Sequence, residues 1–248
     1  DGTVLSTSHY LADGRIPMVG VNSDPSTADD AHVVACQTDE RRSHGALCLC
    51  TASDMHQVLP AVLSGAAQPS RRARLQCTVH TSLKQTRMPP ALNDVLVAHP
   101  SPAAVSRFQM HMPWHLDEKH DYLPLDFEVP WTAKLNVWSS GIWVSTATGS
   151  TASMLSAGGI EMDTNSRQMQ YMVREHIIEH SIPEREKAQQ RSQGHGIVPP
   201  NQTLGLRWSS LAGRIFIDGD HVLHNIELGD TIEVNTNAPA LLLYDQNL

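Results

Sequence analysis

Positive charge is what this chain is short of. Its 18 lysines and arginines stand against 26 aspartates and glutamates, a formal net charge of −8 with a sequence pI of about 5.9. No global positive field exists to hold nucleic acid or an acidic membrane, so a phosphorylated ligand has to be captured locally. Long apolar runs are missing too: none approaches the roughly 18 residues that a transmembrane helix needs. With no charged, apolar, small-residue leader either, the expectation is a soluble chain without membrane partners. Cysteine is sparse. Cys36, Cys48, Cys50 and Cys77 form no C-x-x-C pair, and 248 residues with 40% hydrophobic content need no disulfide framework to bury a core. A reducing intracellular compartment is expected, the cytoplasm first; Asp245-Gln246-Asn247-Leu248 matches no S-K-L-type peroxisomal signal, and the peroxisome or another organelle stays open. The initiator methionine is also lacking, and a chain opening on Asp1 reads as a processed product or a fragment.

What the chain does have is a concentration of small and hydroxylated residues. Ser145-Thr146-Ala147-Thr148-Gly149-Ser150-Thr151-Ala152 is followed closely by Ser156, Ala157, Gly158 and Gly159. Ile142-Trp143-Val144 before it has strand character, so the run falls where a strand ends and backbone amides become available. Taken alone the pattern fits an ordinary loop as well as a nucleotide-binding turn.

The chain changes grammar partway along. Ile16–Val21 reads as a buried strand opening into the loop Asn22-Ser23-Asp24-Pro25. Thr51-Ala52-Ser53-Asp54 can start a helix whose apolar positions Met55, Val58, Leu59, Val62 and Leu63 follow helical spacing, weakened by Pro60 and stopped by Ser64-Gly65. Residues 1–68 are therefore read as α/β. From Arg72 onward short strands alternate with turns, and residues 69–248 are expected to form a β-rich domain with one short helix at 150–155. Asp218-Gly219 between apolar runs is a hairpin signal. Residues 183–205, polar and rich in charge, are read as a mobile insertion.

Three further features fall into order with the hydroxyl run: Asp1-Gly2-Thr3, the pair Asn93-Asp94, and Asp218-Gly219 ahead of Gly229-Asp230. With them the sequence resembles the NAD kinase family, marked by a G-G-D-G-T motif, an N-E or N-D pair and a T-G-S-T-A run. Gly20–Pro25, His99–Phe108, Ser139–Gly141 and Met172–Glu175 make it most similar to the plant-type NADH kinases in that family.

The resemblance implies a partial Rossmann-like nucleotide-binding domain, its upstream portion absent, followed by a β-sandwich-like dinucleotide-binding domain. It implies transfer of the ATP γ-phosphate, with Mg²⁺, to the adenosine 2′-hydroxyl of NADH or NAD⁺. A ribose hydroxyl is a poor nucleophile, so a carboxylate is needed to orient it and take its proton. Asp1 matches the family aspartate in that role. Gly2 and Thr3 match the phosphate-binding positions. Asn93 and Asp94 match the ribose-binding pair, while Thr148, Thr151, Ala152 and Ser156 match the dinucleotide pocket. A homodimer or tetramer is implied as well. The chain departs from the family pattern at Ser140, Ala147 and Ser153, which replace an aspartate, a proline and a tyrosine. Prolines usual around Glu175–Ser181 are also missing.

Two other readings stay open. A lipid kinase shares the G-G-D-G-T loop but leaves the T-G-S-T-A run and the Asn93-Asp94 pair without a purpose. A non-catalytic dinucleotide-binding module uses both without chemistry. Elsewhere, His111, His115 and His120 are read as part of a solvated loop rather than a metal site. Arg71, Arg72 and Arg74 are read as a surface edge, and Cys48 and Cys50 as packing residues.

Overall fold

The computed structural model describes residues 1–23, 45–112 and 133–246, and the chain divides into two units. The first takes Asp1–Arg72 with Pro239–Leu248; the second is Ala73–Ala238. The first contains α1 (Gly2–Ser8), β1 (Met18–Val19), β2 (Val21–Asn22), β3 (Cys50–Thr51), α2 (Met55–Leu63) and β4 (Ser70–Arg72). The second runs through β5 (Gln76–His80), β6 (Gln85–Arg87), β7 (Asp94–Ala98), β8 (Ser106–Met112), β9 (Ala133–Ser139) and β10 (Gly141–Ser145). A 3-10 turn (Thr148–Thr151), α3 (Ser153–Ser156), β11 (Met169–Arg174), α4 (Glu184–Gln193) and β12 (His195–Val198) follow. It ends with β13 (Thr203–Trp208), β14 (Ala212–Ile217), β15 (Val222–Glu227) and β16 (Thr231–Asn235). The architecture is mixed α/β and mostly sheet.

In the first unit β1 pairs in parallel with the closing strand β17 (Leu241–Tyr244), and β2 pairs in parallel with β3. Residues 239–248, expected in the second domain, belong here because β17 lies between β1 and β4. The expected strand at Ile16–Val21 is shorter than its apolar run suggested. Pro17 has no N–H to give a ladder, Ile16 is exposed, and pairing starts at Met18. Helix α2 has the bounds its apolar spacing predicts. Val58 and Val62 pack on Leu49, Cys50 and Tyr244, and the Asp54 carboxylate accepts bonds from the Thr51 N–H (2.7 Å) and Oγ1 (2.6 Å) at the helix entrance. Cys48 and Cys50 are both buried, as packing residues would be. Arg72 corrects the reading of a surface edge. It is buried, its Nη2 lies 2.5 Å from the Asp245 carboxylate, and Ser70 Oγ donates to the same oxygen at 2.6 Å. Arg74 is buried as well, and Arg71 is exposed.

The second unit carries two antiparallel six-stranded sheets, ordered β12-β11-β10-β7-β14-β15 and β6-β5-β16-β13-β8-β9. Strands such as β14 and β16 alternate buried and partly exposed residues, the period of two that gives a sheet one apolar face. Val97, Ile142 and Ile215 from the first sheet join Met110, Leu206 and Ile232 from the second in one apolar cluster, all fully buried. Each such aliphatic side chain contributes roughly 1.5–3 kcal/mol on leaving water. The chain crosses between the sheets at Ser140, from β9 to β10. Gly141 makes the corner with φ +122, and a Cβ there would meet the Val97 carbonyl oxygen at 2.6 Å.

Residues 183–205, expected as a mobile insertion, hold α4 and then β12, which lies at the edge of the first sheet. Sparse apolar character hid that strand: β12 is only four residues long and only Val198 in it is buried. No helix among the described residues is long and apolar enough to cross a membrane. His111 sits on β8 opposite Lys134, while Asp24, Pro25, Cys36, His115 and His120 lie outside the described residues.

Candidate functional site

In the second unit the hydroxyl run does sit where a strand ends. Ser145 closes β10 opposite Asp94, the first residue of β7, so register alone brings the run beside the Asn93-Asp94 pair. Thr146 fastens the two together. Its N–H donates to the Asn93 carbonyl (2.9 Å), and its Oγ1 donates to the Leu92 carbonyl (2.5 Å) and accepts from the Gly149 N–H (3.1 Å). Gly149 lies so close that a Cβ on it would fall 2.2 Å from the Asn93 carbonyl oxygen. Only glycine admits that approach.

The amide side of the same segment is held by Asp218. Its Oδ2 accepts from the Leu92 N–H (2.7 Å), and its Oδ1 accepts from the N–H groups of Asn93 (2.7 Å) and Asp94 (3.0 Å). The Asp218 N–H donates in return to the Asp94 carbonyl at 3.0 Å. The hairpin signal at Asp218-Gly219 is realised between β14 and β15, with φ +51 and +113, but the side chain does more than turn a corner. Sequence reading missed this clamp. A D-G pair advertises the turn, and nothing local advertises a partner more than a hundred residues away.

With its backbone saturated from both sides, Asn93 remains half-buried, and its side-chain amide has no partner among the described residues. It can offer two donors and a carbonyl acceptor, as recognition of a diol requires. Asp94 is buried, at 7% exposure; burial first, and then the Asp218 charge, push its carboxyl from 3.8 to about 7.

The rest of the run forms the 3-10 turn and α3. Thr148 is half-buried, and its Oγ1 is shut from water without a hydrogen-bond partner among the described residues, one residue before the Gly149 that packs on Asn93. Thr151 and Ser156 are exposed and Ala152 is half-buried. Ser150, not singled out from the sequence, is a brace: its Oγ donates to the Ala147 carbonyl (2.7 Å) and accepts from the Met162 N–H (2.9 Å). Gln170 on β11 holds both backbone groups of Ile160, at 3.0 Å each. For Gln170 the signal was a polar residue between the apolar Met169 and Tyr171, whereas Ser150 is hidden among the other hydroxyls of its run.

In the first unit Asp1 precedes α1, and its carboxylate accepts from the backbone N–H groups of Ala46 (3.2 Å) and Leu47 (2.9 Å). Gly2 and Thr3 are exposed in the first turn of α1, and Val4 anchors that helix inward. No three His, Cys, Asp or Glu side chains gather as a metal cage among the described residues.

Known proteins share this chain's sequence over its whole length. It is 38% identical over 250 residues to an Oryza sativa subsp. japonica protein named "Probable NADH kinase", covering 100% of this chain and 70% of that one. It is 39% identical over 244 residues to the NADH kinase of Arabidopsis thaliana, covering 98% and 70%. Among solved structures, yeast NADH kinase complexed with NADH superposes with a TM-score of 0.68 at 16% identity, a likeness of fold. That match covers all of this chain, which spans 60% of the yeast chain. No protein-family model matches the sequence.

Proposed function

Because the chain belongs to the NAD kinase family, we propose that it transfers the ATP γ-phosphate to the adenosine 2′-hydroxyl of NADH or NAD⁺, giving NADPH or NADP⁺. The observation that carries the reading is the clamped Asn93-Asp94 pair, tied by Thr146 to a run whose Thr148 hydroxyl has no partner among the described residues. A short, rigid backbone presenting an amide and a carboxyl suits a ribose diol. The lipid-kinase alternative gives that arrangement no purpose, and no observation favours a module that binds without chemistry.

In this reading Asn93 and Asp94 hold a ribose of the dinucleotide through its hydroxyls. Thr148, Thr151, Ala152 and Ser156 line the dinucleotide pocket, with Ala152 leaving room for a ring. Asp1, fixed by two backbone amides, takes the 2′-hydroxyl proton as the phosphorus–oxygen bond forms, and ADP leaves with the electrons of the broken bond. Gly2 and Thr3 give close approach and a hydroxyl donor to phosphate. Mg²⁺ would serve as the counter-ion of the triphosphate and would neutralise the charge on the transferring phosphoryl group.

The parallel pairs of β1 with β17 and of β2 with β3 support a partial Rossmann-like character for the first unit. The shared core of two antiparallel sheets supports a β-sandwich-like second unit. A homo-oligomer is supported by a row on the outer face of the first sheet. Met172, Trp143, Leu96, Phe216 and Leu223 stand side by side in register, all partly or wholly exposed, with the guanidinium groups of Arg174 and Arg214 5.6 and 5.9 Å from the Trp143 and Phe216 rings. A second copy covering this apolar row would remove it from water. Buried free thiols at Cys48, Cys50 and Cys77 suit a reducing intracellular compartment, and we place the protein in the cytoplasm.

The test is direct. The intact protein, incubated with MgATP and NADH or NAD⁺, should form a product carrying a 2′-phosphate and ADP in equal amounts. Dinucleotide binding without product would leave only the binding-module reading.

A further inference from the structure

The β14–β15 turn belongs to no motif that the proposed chemistry uses, yet its first residue makes three of the best-formed contacts in the second unit. Register carries it there: Ile217 pairs with Val95, which sets residue 218 beside residue 94. Asp218 then adopts φ +51, a left-handed conformation that asparagine and aspartate tolerate better than other non-glycine residues and that still costs free energy. Gly219 continues the turn at φ +113, where a side chain would be strained. In that conformation the carboxylate takes the N–H groups of three consecutive residues, Leu92, Asn93 and Asp94, at 2.7, 2.7 and 3.0 Å.

Three converging amides on one carboxylate make a charge-assisted cluster stronger than any neutral equivalent. Thr146 holds the carbonyls of Leu92 and Asn93 from the other side. The backbone therefore has no bond left to gain by moving, and the Asn93 side chain is aimed by its own main chain. Resting on the proposed kinase reading, we infer that Asp218 is a positioning residue for dinucleotide recognition: it pre-orders the Asn93-Asp94 backbone for the ribose diol without touching the substrate.

The same carboxylate acts on Asp94 electrostatically. Burial raises the Asp94 carboxyl and the Asp218 charge raises it further, to about 7. From β10 and the 3-10 turn the neighbouring side chains are Ser145, Thr146 and Thr148, none of which titrates in this range. Asp218 thus adds to the raising of the Asp94 carboxyl, for which burial is the larger cause, as well as fixing the backbone of the pair.

The test uses the intact protein and the variants Asp218→Asn and Asp218→Glu, with KM for dinucleotide and for MgATP measured from pH 5.5 to 8.5 beside direct dinucleotide titration and amide hydrogen exchange. Asparagine has one carbonyl oxygen for three amides. It should raise the dinucleotide KM at least tenfold, leave the MgATP KM within twofold, speed exchange at residues 92–94, and move the inflection near pH 7 to lower pH. Glutamate keeps the charge on a longer arm, so it should raise the dinucleotide KM while keeping an inflection near 7. An Asp218→Asn protein whose dinucleotide KM and affinity stay within twofold of wild type overturns the proposal, as does an equal rise in both KM values. A wild-type protein that binds no dinucleotide overturns the kinase reading and this inference together; one that binds, with the variants unchanged, overturns this inference alone.

Discussion

The carboxylate of Asp218 lies 2.7 Å from the backbone nitrogen of Asn93, across 125 residues of sequence. That contact ties a hairpin turn to the pair proposed to hold the ribose. Together with Thr146 it explains how residues at the end of one strand can present side chains in fixed directions, which is what pre-organised recognition requires. Its consequences, and those of its neighbours, can be measured.

The base is the sharpest point of the mechanism. Asp1→Asn keeps one of the two oxygens that the Ala46 and Leu47 amides use and cannot take a proton, so kcat should fall by roughly 10²- to 10⁴-fold while dinucleotide affinity changes little. Steady-state turnover beside a binding titration separates the two. A variant keeping a tenth of the wild-type kcat would remove Asp1 from the role of base.

Gly149 offers a steric test. An added methyl would fall 2.2 Å from the Asn93 carbonyl oxygen, a backbone atom that cannot swing aside. Gly149→Ala should cost about 1–3 kcal/mol of stability, the usual scale for overpacking, and weaken dinucleotide binding as the pair shifts. Denaturant unfolding gives the first effect and titration the second; a protein unchanged in both would show that the two segments are not coupled.

The pH dependence follows from Asp94. A carboxyl whose value is raised on folding, here from 3.8 to about 7, favours the fold below its ordinary value, and that stability is lost as pH rises through about 7. Asp94→Asn carries no charge to bury. Relative to wild type it should gain roughly 3 kcal/mol between pH 5 and pH 8, read from denaturation midpoints at both values. Parallel curves for the two proteins would contradict the raised carboxyl.

The outer row of the first sheet makes a prediction about assembly. Trp143→Glu replaces the ring in the middle of the row with a charge, and if a second copy covers this face the protein should dissociate at micromolar concentration. Sedimentation velocity reads the outcome, and the monomer should retain its far-UV spectrum. An unchanged sedimentation coefficient would assign the oligomer, if there is one, to another surface.

Much of this protein was legible in one dimension. The helix at Met55–Leu63 followed from apolar spacing, the β-rich character of the second domain from short apolar runs separated by turns, and the turn at Asp218-Gly219 from its residue types. These are local properties, set by side chains and their immediate backbone. The motif order Asp1-Gly2-Thr3, Asn93-Asp94, Thr148–Ala152 also pointed to the family before any fold was known. What the sequence could not determine is what depends on distant partners. The return of β17 to the first unit, the burial of Arg72 against Asp245 and the strand formed at His195–Val198 are decided by pairing between remote segments. So is the grip of Asp218 on three amides of residues 92–94, because a carboxylate chooses its hydrogen-bond partners by position in space, and only the folded sheet brings residue 218 beside residue 94.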